Sequence, residues 1–255
     1  MSTLIAHAED LLARAENGEV CHTAFLTPAQ RMELRASLGL RKCMRVEGGY
    51  KDAERCRVYF LPPYMLDVDE DTQSQWLADF FAESLIPLEI RGSGYRTLAH
   101  RDYLGAILNL GIEREALGDL CVCDEHRAVL FCDSVMCRFL CESLTRVSND
   151  AVRVSPVTLP ADFDGCRKFK PVTDTVASPR LDSVVAALAS LSRERAQELI
   201  RAGAVELDFA TADKADKPVA EGAVIVVRGK GKFIVRALSD KTKKGRFRLV
   251  ADQYL

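Results

Sequence analysis

Apolar residues in the first part of the chain recur twice at helical spacing and then form a short strand. Residues 4–15 carry the first helical stretch, and the segment TPAQ at 27–30 predicts the start of a second helix. In that segment Thr is a favourable cap, Pro suits the first turn and Gln can complete a capping box. Gly39 ends this helix, and the apolar run at 57–61 predicts a strand. The first block is therefore predicted to be a small α/β unit.

The middle of the chain alternates strand and helix patterns in the order β-α-β-β-α-β. The predicted strands cover 85–90, 120–123, 128–132 and 151–154, and the predicted helices cover 100–110 and 133–144. That order is typical of a ferredoxin-like fold, which many RNA-recognition motif (RRM) domains and many enzymes share. In the second helix, Val135, Phe139 and Leu140 are expected to form the buried face.

The last block begins with two short amphipathic helices. The first has an apolar stripe at i, i+3, i+4 and i+7, formed by Leu181, Val184, Val185 and Leu188. The second can be capped by Ser192 and ended by Gly203. Strand patterns follow at 205–209, 224–227, 233–235 and 247–250, with a turn expected at 241–245. This block is predicted to consist of two helices followed by a small twisted β-sheet.

Prolines suggest where the domains divide. Pro62-Pro63 cannot lie inside a helix or a central strand, and four of the nine prolines lie between Pro156 and Pro179. We therefore predict an α+β protein with an N-terminal α+β domain at 1–62, an RRM-like (ferredoxin-like) domain at 63–158, a linker at 159–177 and a third domain at 178–255.

Composition excludes several classes of protein. With 255 residues, 48% of them hydrophobic and 28% charged, the chain is globular rather than disordered. No apolar run approaches the ~18 residues of a membrane span, and the N-terminus lacks the basic start of a signal peptide. A cytoplasmic location without a membrane partner is therefore expected. The nine cysteines are scattered and include no CxxC pair, which predicts free thiols and no metal site, even where Cys121, Cys123 and Cys132 lie near His126.

Positive charge is concentrated in the last block. From Arg180 onward there are 15 basic and 10 acidic residues, a net charge of +5, whereas the rest of the chain carries 20 basic and 27 acidic residues, or −7. On the second helix of this block, Arg193, Gln197 and Arg201 fall on one arc beside the buried stripe, and we call these three residues the ridge. Guanidinium groups bind phosphate in a bidentate manner. The ridge therefore predicts contacts with the backbone of structured RNA.

Several segments of this block resemble the S4 RNA-binding domain. They are Arg180-Leu181-Asp182, Leu191-Ser192-Arg193, Ala196-Gln197, Leu199-Ile200 and Gly203, and the segment RGKGKF at 228–233 resembles a hairpin of one S4 subfamily. The resemblance implies RNA contacts through Arg180, Ser192, Arg193, Gln197 and Arg201, and the hairpin adds Lys230 and Lys232. Two positions depart from the pattern, because Asp208 replaces the usual Asn and Ala223 replaces the usual Asp.

The rest of the chain resembles the YlmH-type S4 proteins. The resembling segments are 100–114, Gly118-Asp119, FLTP at 25–28, Gly48-Gly49-Tyr50 and Ala53-Glu54-Arg55. This resemblance implies a bacterial cytoplasmic protein with an N-terminal domain, an RRM-like middle domain and a C-terminal S4 domain. The implied partners are rRNA or tRNA on the large ribosomal subunit, during quality control of stalled translation. We expect neither a cofactor nor a small-molecule substrate.

The middle domain has two interpretations. Its central candidate strands contain one aromatic residue, Phe131, so the stacking platform of RNA-binding RRM domains is missing. The domain is expected either to act as a scaffold, which we favour, or to contact RNA through arginines. Arg101 and Arg114 are the secondary RNA-contact candidates, beside Arg91 and Arg96.

Two further hypotheses belong to other classes of protein. A pseudouridine synthase needs a nucleophilic Asp in a loop like GRLDxxTxG; Arg180-Leu181-Asp182 imitates its core, but the required Thr and Gly are absent, and Asp182 suits a helix start. We therefore predict a protein that is not an enzyme and has no catalytic residue. The other alternative is an adaptor for cell division whose S4 module no longer binds RNA.

Overall fold

The computed structural model describes residues 3–241 and 245–255, and these form two compact units. The first unit is Met1–Cys166 and the second is Arg167–Leu255. The first two predicted blocks therefore lie in one unit. The turn predicted at 241–245 falls largely on residues 242–244, which lie outside the described residues.

The first block of unit one is a three-stranded antiparallel sheet with two helices. Its elements are α1 (Thr3–Glu16), β1 (Cys21–His22), α2 (Pro28–Leu38), β2 (Met44–Glu47) and β3 (Arg57–Phe60), and the strand order is β1-β3-β2. The capping box at the start of α2 is confirmed, because the Gln30 side chain accepts a hydrogen bond from the Thr27 backbone N–H at 2.8 Å and Thr27 Oγ1 accepts one from Gln30 N–H.

The middle block has the predicted order of elements. After α3 (Glu70–Ser84), which the sequence pattern did not indicate, come β4 (Ile86–Gly92), α4 (His100–Leu108), β5 (Leu120–Asp124), β6 (Arg127–Cys132), α5 (Ser134–Ser143), β7 (Arg146–Val147) and β8 (Asp150–Pro156). The strands form an antiparallel sheet in the order β5-β6-β4-β8-β7. Without the edge strand β7, this is the strand order of a ferredoxin-like fold.

The predicted buried face of α5 is wrong at two of its three positions. Leu140 is buried, but Val135 is 76% exposed and Phe139 is 39% exposed. Cys137 joins Leu140 in the contact with the sheet instead. At 100° per residue, Val135 and Phe139 lie on the side of the helix opposite Cys137. When Cys137 faces the core, neither of the other two can do so.

Hydrogen bonds fasten the first block to the middle block. The carboxylate of Asp119 accepts the Tyr50 hydroxyl at 2.7 Å and the backbone N–H groups of Glu54 and Arg55 at 2.7 and 2.9 Å. The Arg55 guanidinium in turn donates to the carbonyl of Leu117 at 3.0 Å. Three of the segments that resemble YlmH-type proteins, 48–50, 53–55 and 118–119, therefore meet at this junction and have a structural role there.

The predicted linker at 159–177 and the prediction of nine free thiols both need correction. Leu159 and Phe163 pack against the face of the sheet that carries Phe131, and this brings Cys166 to Cys123. The two cysteines form a disulfide with their Cα atoms 4.8 Å apart. The second half of the predicted linker is a strand, Phe169–Val176, which pairs with the C-terminal strand of unit two.

In its described residues, unit two consists of two helices and one antiparallel sheet, as predicted. Its elements are β9 (Phe169–Val176), α6 (Leu181–Leu188), α7 (Arg193–Arg201), β10 (Val205–Leu207), β11 (Ala210–Thr211), β12 (Val224–Val227), β13 (Gly231–Lys241) and β14 (Phe247–Tyr254). The strand order is β11-β10-β12-β13-β14-β9. The apolar stripe of α6 is buried against this sheet, and Gly203 ends α7 with a φ of 66°, which favours glycine.

Within the described ranges, none of the helices combines the length and the apolar character needed to cross a lipid bilayer.

Candidate nucleic-acid interface

The packing of α7 leaves one polar side exposed. Ala196 and Ile200 are buried against the core of unit two, because their spacing places them on one side of the helix. Arg193 and Arg201 are exposed, and Gln197 is half-buried between them. The predicted ridge is therefore present at the surface of unit two.

A buried carboxylate, which sequence reasoning had interpreted only as a helix-start residue, organises this surface. Asp182 is completely buried, and its Oδ2 accepts hydrogen bonds from Arg193 Nε at 2.9 Å and from Gln197 Nε2 at 2.8 Å. Arg180 Nε lies 3.4 Å from the other carboxylate oxygen. One side chain therefore contacts three of the predicted RNA-binding residues.

The pKa of Asp182 lies below its ordinary value. Burial by itself acts to raise this pKa, but the hydrogen bonds from Gln197, Arg193 and Arg180 stabilise the ionised form and outweigh burial. The carboxylate is thus ionised at neutral pH. A buried anion in contact with two guanidinium groups satisfies the rule that buried charges are paired.

The anchored arginines keep their terminal nitrogens available. The side chains of Arg180 and Arg193 are 43% and 49% exposed, and their hydrogen bonds to other described residues use only Nε. The Nη atoms are the pair with which a guanidinium grips phosphate oxygens. Fixing Nε in advance lowers the side-chain entropy that is lost on binding. The arrangement can therefore hold phosphate groups at two ordered positions.

Two further predicted RNA-binding residues, Ser192 and Arg201, lie at the two ends of α7. Ser192 is exposed and caps the helix as predicted, since its Oγ accepts a hydrogen bond from Arg195 N–H at 3.1 Å. Arg201 is exposed in the last turn and makes no hydrogen bond or ion pair with another residue that the structure describes. A direct RNA contact by either residue remains a prediction.

The lysine hairpin begins next to the end of α7. The backbone N–H of Arg228 donates to the carbonyl of Ala204 at 2.9 Å. Lys230 is exposed at the turn, whereas the ammonium group of Lys232 lies 4.8 Å from the centre of the Tyr254 ring and 5.4 Å from that of Phe209. These cation–π contacts hold Lys232 in place. The hairpin therefore adds an exposed lysine and an ordered one.

The two residues that depart from the S4 pattern, Asp208 and Ala223, lie close together, after the end of β10 and just before β12. Asp208 has a left-handed φ of 49°, and its Oδ1 accepts a hydrogen bond from Val224 N–H at 2.9 Å. An aspartate tolerates this backbone conformation and can make the bond that an asparagine oxygen would make. Ala223 is buried in the core of the unit.

A cavity of about 440 Å³ in unit two adds a residue that sequence reasoning missed. Its lining includes Arg193 from the ridge and Arg246 from the chain just before β14, together with the hydroxyl groups of Ser183 and Ser190. Arg246 Nη2 donates to the carbonyl of Thr175 at 2.6 Å. Only the pairing of β14 with β9 brings Arg246 here, so no local pattern could have indicated it.

In unit one, the structure separates the two secondary candidates. Arg101 is exposed on α4. Arg114 is half-buried, and its Nη1 donates to the carbonyls of Leu117 and Gly118 at 2.9 and 3.0 Å. Burial, followed by repulsion from Arg55, lowers the pKa of Arg114 to about 10. Arg114 therefore stabilises the backbone of its own unit through Nη1, and a phosphate contact by Arg101 or Arg114 stays a prediction.

Phe131 does not provide a stacking platform for bases. Its side chain is completely buried, with its ring centre 5.1 Å from that of Tyr50 and 6.1 Å from that of Phe163. Tyr50 from the first block and the 157–166 segment thus cover this end of the sheet. Across the described part of the chain, His, Cys, Asp and Glu side chains form no group of three or more that could hold a metal ion.

The chain is similar in sequence to known proteins. Residues 81–160 match the family described as "Putative RNA-binding domain in YlmH", and residues 179–225 match the S4 domain family. "Ribosome-associated protein quality control protein P2" of Bacillus subtilis (strain 168) is 28% identical to this chain over 237 residues, which are 91% of this chain and 86% of that protein. The solved structure of "Cell division protein ylmH from Streptococcus pneumoniae" is similar with a TM-score of 0.49 and 21% identity, covering 64% of this chain and 97% of that chain.

Proposed function

We propose that this chain, a YlmH-type S4-domain protein, binds structured rRNA or tRNA on the large ribosomal subunit and leaves the RNA chemically unchanged. The observation that carries the proposal is the anchoring of Arg180, Arg193 and Gln197 by the buried carboxylate of Asp182. Ordered guanidinium groups on a short exposed helix suit the phosphate backbone of a folded RNA, which is recognised largely by shape.

The relatives support a role on the ribosome. The Bacillus subtilis relative is named for ribosome-associated protein quality control, and the two matched families are an RNA-binding domain and the S4 domain. We extend this to quality control of stalled translation in the bacterial cytoplasm. In that role the protein holds RNA in position and needs neither a cofactor nor a small-molecule substrate.

The burial of Asp182 argues against a pseudouridine synthase. A nucleophilic Asp must reach the base that it attacks, but the Asp182 carboxylate is completely buried and bonded to Arg193 and Gln197. The segment Arg180-Leu181-Asp182 therefore serves to organise the ridge. This supports the proposal of a protein that is not an enzyme.

The test is the salt dependence of binding to a purified rRNA hairpin. If about five phosphates are contacted, log affinity against log salt should have a slope of about −4 to −5 on a duplex. Arg193→Gln with Arg201→Gln should reduce the slope by about 2, since two phosphate contacts are lost. Glutamine is preferred to glutamate because a second carboxylate at position 193 would face the buried Asp182.

The matched control is Arg195→Gln on the same helix. Arg195 is exposed and forms an ion pair with Glu198 at 2.5 Å, so it is not part of the ridge. Its loss should change RNA affinity less than twofold. A ridge variant that binds like this control, or a wild-type slope near zero, would refute the proposal.

A further inference from the structure

The open face of the sheet in unit one carries a line of arginines. Arg91 on β4 lies directly opposite Arg127 on β6 and directly opposite Arg153 on β8. Their strand neighbours Leu88, Ile90, Ala128, Leu130, Val152 and Val154 face the helices. Since side chains alternate between the two faces of a strand, the three arginines share the other face.

A fourth arginine extends this line to the edge strand. Arg146 on β7 is paired with Ala151, two residues before Arg153 on β8, so it lies diagonally next to Arg153 on the same face. We call Arg127, Arg91, Arg153 and Arg146 the arginine row. It crosses four neighbouring strands, a distance of about 14 Å at about 4.8 Å per strand.

The row holds more positive charge than its surroundings neutralise. Glu89 accepts hydrogen bonds from Arg91 at 3.0 and 3.1 Å and from Arg127 at 2.6 Å. A second carboxylate, that of Asp124, lies opposite Arg127 in the strand pairing. Arg153 is exposed and has no bonded partner among the described residues. Like charges directly opposite each other destabilise a sheet, so packing does not account for this placement.

Glu89 orders two members of the row, Arg91 and Arg127. The hydrogen bonds from Arg91 and then Arg127 keep the pKa of Glu89 below its ordinary value despite partial burial. The Arg91 side chain remains 58% exposed and that of Arg127 29% exposed, while Glu89 is 16% exposed. Glu89 lies on the same sheet face as Arg91, two residues earlier on β4, so its carboxylate fixes both guanidinium groups from the side and leaves part of each at the surface.

We propose that the arginine row is a second RNA site, which binds the phosphate backbone of a single-stranded segment without reading its sequence. The length of the row matches several phosphates of a polymer better than one free phosphate. Tyr95, four residues after Arg91, is 96% exposed and so has no packing role. Its ring can stack on a base, which an acidic peptide would not offer. This inference rests on the proposed RNA-binding function; it names the face of the matched domain at residues 81–160 that would carry RNA, and the class of RNA that this face would hold.

The test uses the full chain and a fluorescent 12-nucleotide oligouridylate, with binding followed by anisotropy across a salt series. Arg91→Gln with Arg153→Gln should weaken binding about 5- to 20-fold and reduce the log–log slope by about 1.4, the value for two phosphates of a single strand. Arg138→Gln is the matched control for Arg153→Gln, because Arg138 is also exposed but lies on α5, behind the sheet.

The outcomes separate the two sites. If the row variant binds the oligouridylate like Arg138→Gln, the row is not an RNA site. If it binds normally but no longer pellets with ribosomes, the row contacts a protein, and the inference is also overturned. The ridge variant, measured in parallel on the rRNA hairpin, reports on the proposed function by itself. If only the ridge variant loses RNA affinity, the row is refuted and the ridge stands. If only the row variant loses RNA affinity, the ridge is refuted and the row stands.

Discussion

A single buried carboxylate explains why the residues at the predicted RNA site are ordered. Asp182 touches no solvent, yet it contacts Arg180, Arg193 and Gln197. We therefore expect Asp182 to affect RNA affinity indirectly, as a positioning residue. Removing its charge should disturb both the stability of unit two and the geometry of its exposed arginines.

Asp182→Asn should lower the free energy of unfolding by about 1–3 kcal/mol, because hydrogen-bond donors are left near a neutral partner in a buried place. It should also weaken binding to the rRNA hairpin. Denaturant melts and anisotropy measure the two effects. A variant that is destabilised but binds with full affinity when folded would show that the carboxylate does not order the arginines.

The same substitution should change the pH dependence of stability. The folded pKa of Asp182 lies below its ordinary value of 3.8, so its stabilising contribution is complete above that value. The contribution is lost as the pH falls through the folded pKa. The stability difference between the wild type and Asp182→Asn should therefore be constant near neutral pH and shrink below about pH 4. Chemical melts over this pH range measure that difference.

Turns between elements decide how the first block meets the middle block. Gly49 has a φ of 92° in the segment between β2 and β3, and a Cβ at this position would lie 2.3 Å from the Phe131 ring. The junction at Tyr50 and Asp119 follows directly after it. Space at Gly49 is thus required for the two blocks to come together.

Gly49→Ala should destabilise unit one by about 1–3 kcal/mol through overpacking, in addition to about 1–2 kcal/mol for the left-handed backbone. Gly94→Ala is the matched control, since Gly94 has a φ of 94° but nothing within 4 Å of the added Cβ. The control should show only the backbone cost. Equal melting temperatures for the two variants would mean that the Phe131 ring can move away from the added Cβ without a loss of stability.

At the scale of the whole molecule, one covalent link changes the expected cysteine chemistry. Cys123 and Cys166 are bonded, and seven cysteines are free. The link closes a loop across a sequence separation of 43 residues. In the chain-entropy description a loop of this size stabilises the folded state by up to about 4 kcal/mol.

The denatured, unreduced protein should therefore show seven reactive thiols, and nine after reduction. In the folded protein at pH 8, exposed Cys141 should react first. Cys56 should stay protected, because burial raises its pKa to about 11. Timed labelling followed by peptide mass spectrometry identifies each cysteine. Nine reactive thiols before reduction would contradict the disulfide.

The sequence alone determined the elements and the nature of the last block. The apolar stripe of α6, the cap at Thr27 and the glycine at 203 act within a few residues, and the structure confirms each of them. The ridge could be predicted for the same reason, since helical spacing places its members on one side of one short helix.

Only the tertiary structure decided which distant residues meet. Asp182 reaches Gln197 across 15 positions, Cys123 reaches Cys166 across 43, and the arginine row joins residues from four strands. Helix and strand periods carry no information about such pairs, because their contacts depend on how whole elements pack. The exposure of Val135 and Phe139 has the same cause: an apolar spacing of four predicts a helix face, and the neighbouring sheet selects which face it covers.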